Sequence, residues 1–483
     1  MYYSETTWKT RRLFVFLWVI VLVGIAQGCK KEESENSKIN DWILENMQDY
    51  YFWNTQIPAR TNKTLYPKDY FESLLYKKED RFSWIQDNFK ELQDYLSGIT
   101  TEAGYEFNLY LLEKGKNLVV GCIVYIKPGT PAEQAGLKRG DFFTSINGTA
   151  MTTENYQDLL SKISQPHTIG KIDLLTGQTT TVSLSVIEYA ENPVLLDTIY
   201  HIESKKIGYL VYNLFARDSN QDGITYEKEL NNLFGNFQTQ GIQELIVDLR
   251  YNSGGSVVTA ITLASMISNR TSTDIFGYQK YNSNLDQALS DYYGKDYNVN
   301  YFFDNIERSD NNNKVVESVK INKLTNLSKV YFIVSGRTAS ASELVINCLK
   351  PYMNVVLVGD TTLGKNVGSI TIYEEDEEKQ KTNKWGMQPI VLKLENKIHF
   401  SDYGNGFPPD VLADEFDSAS KMRELGDINE MMLSVALNHI FGRTTLQRSS
   451  VATKTKMIGS SGDRLPVRNS MYLDSHFQTK IRR

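Results

Sequence analysis

A serine and a lysine in this chain are placed where a nucleophile and its base would need to be. Ser340 lies in Thr338-Ala339-Ser340-Ala341-Ser342-Glu343, between an apolar run at 330–334 with its turn Ser335-Gly336 and the stretch 343–349. The apolar run reads as a buried strand and the following stretch as the start of a helix. The first turn of a helix leaves backbone N–H groups without partners, so it can hold a developing negative charge. A serine there has an oxyanion site beside it and still needs a base. The five histidines, at 167, 201, 399, 439 and 476, are not close to it in sequence. Lys365 is the better candidate: it follows a second apolar run at 354–358 and the turn Gly359-Asp360-Thr361-Thr362-Leu363-Gly364. Two neighbouring strands whose C-terminal turns carry Ser and Lys bring the side chains together, and Ser–Lys pairs are a variant of the serine triad. The competing reading makes Ser340 a helix cap and Lys365 a surface cation, and a short serine-rich string alone does not decide between them.

The elements that must position these residues are legible around them. A strand at 207–212, a helix over 225–237 with Leu230, Leu233, Phe234 and Phe237 on one face, and a buried strand at 245–250 ending in Tyr251-Asn252-Ser253-Gly254-Gly255 alternate as an α/β domain requires. A helix follows over 257–267 and a last one over 431–440. Residues 39–95 read as three helices, with Ile39, Trp42, Ile43, Met47 and Tyr50 at helical spacing in the first. Residues 118–126 read as a strand, 131–136 as a short helix opened by Pro131 and closed by Gly136, and 142–146 as a strand ending in an Asn-Gly turn.

The strings TASASE at 338–343 and GDTTLGK at 359–365 resemble those of the C-terminal processing peptidases, or tail-specific proteases. The resemblance implies that Ser340 is the nucleophile and Lys365 the general base. Members of that family often carry a glutamine four residues after the lysine; here Ser369 stands there, and it is expected to orient Lys365 through its hydroxyl or a water. DLRYNSGG at 248–255 resembles the family's glycine loop, which implies an oxyanion hole from the Gly254 and Gly255 backbone with the Ala341 N–H, and structural roles for Asp248 and Arg250. GFPPDV at 406–411 resembles a late family motif. GTPAEQAGLKRGD at 129–141 resembles a PDZ domain, a module that binds extended peptide C-termini by strand addition. The carboxylate nest is then expected at Gly104, Tyr105, Glu106 and Phe107. Glu106 replaces a usual second glycine, so weak or altered recognition of free C-termini is expected. Tyr156, Leu159 and Leu160 would line the groove's helix or pack into the core. The fold implied is a crotonase-like α/β catalytic core preceded by an α+β PDZ domain and a small helical N-terminal region.

Composition narrows the class. The 483 residues are 41% hydrophobic and 23% charged with net charge −6, which is ordinary for a globular protein and gives nucleic-acid binding no electrostatic support. Basic Lys9, Arg11 and Arg12, a thirteen-residue apolar run at 13–25 and Ala26-Gln27-Gly28-Cys29 read as a bacterial lipoprotein signal. Lipid on Cys29 would anchor the chain to the membrane of the cell envelope, at the outer membrane or cell surface. Cys122 and Cys348 then remain and make no disulfide framework. No metal-ligand spacing, phosphate loop or cofactor motif stands out; the acidic run at 374–378 reads as a solvated loop. The divisions expected are a signal at 1–28, a tether at 29–38, helices at 39–95, the PDZ domain at 96–190, the peptidase domain at 191–443 and a polar basic tail at 444–483, largely without order. Residues 279–314 read as an insertion near the substrate path. The function expected is an envelope-anchored serine endopeptidase acting on exposed or partly unfolded protein segments. The rival is a catalytically inactive peptide-binding lipoprotein scaffold; retention of both Ser340 and Lys365 argues against it, and Glu106 and Ser369 keep it open.

Overall fold

The computed structural model describes residues 35–111, 117–220, 223–310, 314–415, 422–443, 457–465 and 471–473. Cys29 and the leading segment lie outside the described residues. Among those described, no helix is long and apolar enough to cross a membrane.

A six-stranded sheet carries the turns that hold Ser340 and Lys365. Its order is Val194–Ile202, Lys205–Tyr212, Glu244–Asp248, Lys329–Val334, Asn354–Gly359 and Val411–Leu412, with the first pair antiparallel and the rest parallel. Its strands are apolar on both sides because both sides are covered. Tyr209, Val211, Ile246, Ile333, Val356 and Val358 pack on the helix Met431–Ile440. The alternate positions Leu210, Leu245, Val247, Phe332, Val334 and Leu357 join the larger core with the helices Thr225–Gln240, Val257–Ile267 and Ala341–Leu349. The parallel direction of these strands places their C-terminal turns along one edge. The turns after residues 248, 334 and 359 carry the glycine loop, Ser340 and Lys365.

The N-terminal helices Glu35–Tyr50 and Pro67–Leu74 bury Ile43, Met47, Tyr70 and Phe71 into the same large core. The stretch at 279–314 contains a helix, Ser283–Tyr293. It is fastened to the first helical unit by Asn282, whose amide donates to the carbonyls of Asp49 and Tyr51 at 3.0 and 3.1 Å.

The PDZ sheet runs Tyr105–Leu111, Val119–Ile126, Phe142–Ile146, His167–Ile172, Thr179–Leu184 with every pairing antiparallel. It has its own core of Phe107, Leu109, Ile123, Phe143, Ile146, Leu159, Leu160 and Ile169. Leu159 and Leu160 are therefore core residues of the helix Tyr156–Leu160, and Tyr156 is the one left half-buried at its edge.

The C-terminal segment departs from the expectation of a tail largely without order. Met457–Ser460 adds to the outer edge of the PDZ sheet, antiparallel to Tyr105–Leu111. Met471–Tyr472 enters a second six-stranded sheet between Gly255–Ser256 and Val367–Ser369, parallel to both. Met471 and Leu473 are fully buried in the main core, and the Tyr472 hydroxyl donates to the Leu96 carbonyl at 3.0 Å. These residues have no recognisable period because each strand is only two to four residues long and its partners lie hundreds of positions earlier.

Candidate active site

Ser340 stands at the N-cap of the helix Ala341–Leu349 with φ 64° and ψ −116°. That left-handed backbone costs on the order of 1–3 kcal/mol for a residue with a side chain, and such strain clusters at functional sites. Buried Ala339 and Ala341 flank it, and the Glu343 carboxylate accepts the Ser340 N–H at 2.8 Å. The Ser340 Oγ is buried and makes no hydrogen bond among the described residues.

Glu343 also holds the other turn. Its carboxylate accepts the N–H of Gly364 at 2.7 Å and of Lys365 at 2.8 Å, and the Thr362 hydroxyl at 2.5 Å. One buried carboxylate thus fixes the backbones of Ser340 and Lys365 to each other. Burial raises its pKa, and the hydrogen bonds from Thr362, Lys365, Ser340 and Gly364 oppose that. Gly364 has φ 87°, and a Cβ there would stand 2.4 Å from the Gly404 carbonyl oxygen. The Arg81 guanidinium ties the same two carbonyls, Gly364 at 2.8 Å and Gly404 at 3.1 Å.

Lys365 is 2% exposed, which sets aside the surface-cation reading. Its ammonium lies 4.8 Å from the centre of the Phe82 ring. Burial brings its pKa down to about 7, with Asp80 and Glu343 pulling weakly the other way. Desolvation disfavours the charged amine and prevails over the pull of the two carboxylates, whose oxygens are hydrogen-bonded to other groups. Asp80 accepts from Tyr51 Oη at 2.8 Å and from the N–H groups of Phe82 and Ser83, both at 2.9 Å. Asp80, Arg81, Phe82 and Glu343 are parts of the site that sequence reasoning misses. The first three lie more than 280 positions before Lys365; Glu343 carries a visible signal, a carboxylate three residues after a serine at a helix start.

One expectation needs correction and another a closer description. The Ser369 hydroxyl donates to the Met471 carbonyl at 3.0 Å, which leaves its lone pairs as the side it can offer to Lys365 or a water. The Gly254 N–H donates to Asn252 Oδ1 at 2.9 Å and is spent within its own loop. Gly255 remains next to the slot, with φ 137° and a Cβ position 2.1 Å from the Phe215 carbonyl oxygen, which admits only glycine. Ala341 offers the N–H of a first helical residue, where no helical carbonyl precedes it.

Asp248 and Arg250 lie fully buried behind the glycine loop. Arg250 donates to Asp248 at 2.6 Å and to Glu430 at 2.8 Å, and the Tyr209 hydroxyl donates to Asp248 at 2.8 Å.

In the PDZ nest, the Tyr105 hydroxyl shares a 2.9 Å hydrogen bond with His167, and Gly104 at φ 88° packs so that a Cβ would lie 2.2 Å from Thr130. The Phe107 N–H donates to Ser461 Oγ at 3.2 Å. Glu106 is not the bare negative charge expected. Burial opposes its ionised form, but Lys127, Arg464 and Arg337 with the Ser461 hydroxyl outweigh burial and hold its pKa at about 2. Arg337 sits three residues before Ser340 and reaches Glu106 at 3.4 Å and Asn108 at 3.1 Å, joining the nest to the turn that carries Ser340. Cys122 and Cys348 are free and buried, and burial raises both thiols. No group of side chains suited to a metal ion occurs among the described residues.

The model of peptidase family S41 matches residues 206–385, that of the peptidase S41 N-terminal domain residues 38–84, and a PDZ model residues 123–169. The carboxy-terminal processing protease CtpA of Bacillus subtilis (strain 168) is 25% identical over 249 residues, 51% of this chain and 45% of the relative. The chloroplastic C-terminal processing peptidase of Tetradesmus obliquus is 23% identical over 286 residues, 56% of this chain and 52% of the relative. The chain thus spans about half the length of these curated relatives. A crystal structure assigned to the S41 proteases, from Bacteroides fragilis NCTC 9343, superposes with a TM-score of 0.64 at 26% identity, covering 84% of this chain and 98% of that one. The chain thus carries matches to an S41 N-terminal domain, a PDZ domain and an S41 peptidase core, in that order.

Proposed function

We propose that the protein is a serine endopeptidase in which Ser340 is the nucleophile and Lys365 the general base. The observation that carries the reading is the single carboxylate of Glu343 binding the backbones of both residues, one strained and the other bearing a desolvated amine. Neutral Lys365 takes the proton as Ser340 Oγ attacks the peptide carbonyl, then passes it to the leaving amine. Water entering the same place hydrolyses the acyl-enzyme by the reverse roles. The oxyanion is held by the Ala341 N–H and the backbone at Gly255, where preorganised donors are worth most. The substrate is a protein segment able to lie extended in the slot beside Gly255–Ser256. Labelling by a fluorophosphonate probe tests the nucleophile: the wild-type protein labels and Ser340→Ala does not. Equal labelling of both would end the assignment.

A second reading is a peptide-binding scaffold without turnover. The observations that favour it are the engaged Gly254 N–H and Ser369 hydroxyl. Steady hydrolysis of an unfolded protein by wild type, absent in Ser340→Ala, separates the two.

The location proposed is the bacterial cell envelope, through lipid on Cys29, on the support of the short apolar run ending in a small residue and cysteine. Fatty-acid labelling in the producing cell should disappear in Cys29→Ala; persistence would refute the anchor.

A further inference from the structure

The PDZ groove is occupied by the chain itself. Met457–Ser460 pairs along Tyr105–Leu111, and a Cβ on Gly459 would lie 3.5 Å from both Leu109 and Tyr156, so the segment runs between that strand and the helix Tyr156–Leu160. This is where a PDZ ligand adds as a strand. The ligand, however, does not end. At Ser461 the chain turns into a short 3-10 segment, Ser461–Arg464, closed by the Asp463 carboxylate accepting the Ser460 N–H at 3.1 Å. Where a terminal carboxylate would accept hydrogen bonds, the Ser461 hydroxyl donates to Glu106 and accepts from the Phe107 N–H.

Charge selects for this arrangement. The domain's own groups at the nest are Glu102, Glu106 and Glu191 against Lys127, with Arg337 reaching in from the turn that carries Ser340. The segment itself brings Arg464, which pairs with Glu102 at 2.5 Å, and only then are buried Glu102 and Glu106 and half-buried Glu191 matched by three cations. A free C-terminus would add a fourth negative charge at the same spot. Unmatched buried charge is costly, so the nest prefers an internal ligand that supplies a hydroxyl and then a cation.

We propose that the PDZ domain of this protein recognises an internal polypeptide segment, an extended strand leading through serine into a tight turn that carries a basic residue, and that residues 457–465 are its resident, displaceable ligand. The same segment leads on to Met471–Tyr472, which fills the slot between Gly255–Ser256 and Val367–Ser369. An incoming substrate therefore competes with the chain's own C-terminal segment at both places. The binding claim stands apart from the peptidase reading, because it is read by binding alone.

The test uses the Ser340→Ala protein, so that nothing is cut, in two forms: the full chain and a chain ending at residue 443. The probe is a fluorescent peptide of residues 457–465, acetylated and amidated, followed by anisotropy. The truncated form should bind it, and the full chain should bind at least about tenfold more weakly, because a tethered ligand competes at high effective concentration. A peptide carrying Arg464→Glu, and one ending in a free carboxylate at Ser461, should each bind the truncated form about tenfold more weakly, the loss expected for an unmatched charge. Equal binding by full and truncated chains would show that residues 457–465 do not hold the groove, and no binding to the full chain at saturating peptide would show a permanent structural strand; either overturns the displaceable ligand. Preference for the free carboxylate would overturn the ligand class. If the truncated form does not fold, the full chain carrying Ser461→Asp and Arg464→Glu replaces it: the added wild-type peptide should then bind about tenfold more tightly than it binds the parent chain, and failure to gain binding overturns the proposal.

Discussion

Lys127 in the PDZ domain and Lys365 in the peptidase domain are both almost out of water, at 5% and 2% exposure, yet their ammonium groups are driven in opposite directions. Burial alone would lower both. Around Lys127, Glu102 and Glu191 approach to 2.7 Å and Glu106 to 3.3 Å, and together they push its pKa above the ordinary lysine range. Around Lys365, the relevant carboxylates belong to Asp80 and Glu343, and their oxygens are taken by backbone N–H groups and the hydroxyls of Tyr51 and Thr362. Burial then prevails and the value falls to about 7. A buried lysine sheds its proton near neutrality when neutral donors, not the lysine, hold the nearby carboxylates.

The comparison breaks most visibly in turnover. Lys365→Arg keeps a cation but cannot lose its proton near neutrality, so hydrolysis of an unfolded protein substrate should fall by roughly 10²–10⁴-fold. Substantial retained activity in a folded Lys365→Arg protein would refute the base assignment.

Stability separates the two next. Lys127→Met leaves buried Glu102 and Glu106 and half-buried Glu191 facing two arginines and should cost about 3–5 kcal/mol in denaturant unfolding, the scale for breaking a buried ion pair. A loss under about 1 kcal/mol, the worth of a surface pair, would mean the cluster is wetter than its geometry implies.

Lys365→Met should act in the opposite sense. The folded pKa of about 7 lies below the ordinary 10.5, so between these values the unfolded chain holds a proton the folded chain has released. Wild-type stability from this group therefore rises with pH across that window, and below pH 7 its full cost is present. Lys365→Met should be more stable near pH 7 by a few kcal/mol, since each pH unit separating the folded and unfolded values is worth about 1.4 kcal/mol, and should lose the rise. Unfolding curves at several pH values measure both; parallel curves for the two proteins would contradict the depressed value.

The smallest effect sharpens the same point. The acid limb of activity should have its midpoint near pH 7, and Asp80→Asn, which removes a charge that raises the Lys365 pKa while keeping a partner for Tyr51, should move it down by a fraction of a pH unit. An upward move would show that Asp80 acts otherwise.

What can be read in the sequence is local. Strand, turn and helix start around Ser340, the turn before Lys365 and the PDZ string are each encoded within a dozen residues, and apolar runs declare the sheet. What fails to show is carried by pairs far apart in the chain. Nothing near Lys365 points to Phe82, and nothing near Glu106 reveals that Arg337 and Arg464 neutralise it. The offset of Ser369 from the lysine suggests an orienting role, but not that a strand from residues 471–472 claims its proton. The C-terminal segment is polar overall, and two buried side chains, Met471 and Leu473, are too few to form a pattern.

The strand at Met471–Tyr472 also bears on how the molecule assembles. Both of its neighbours, Gly255–Ser256 and Val367–Ser369, leave the ribosome before it, and Tyr472 meets Leu96 across 376 positions of sequence. Contacts of such separation form late, after loop closure has been achieved elsewhere. The strand therefore arrives as a tethered reactant at a preformed cleft, and the last step of refolding should be a slow phase in which amide protection at residues 255 and 369 lags behind that of the parallel sheet.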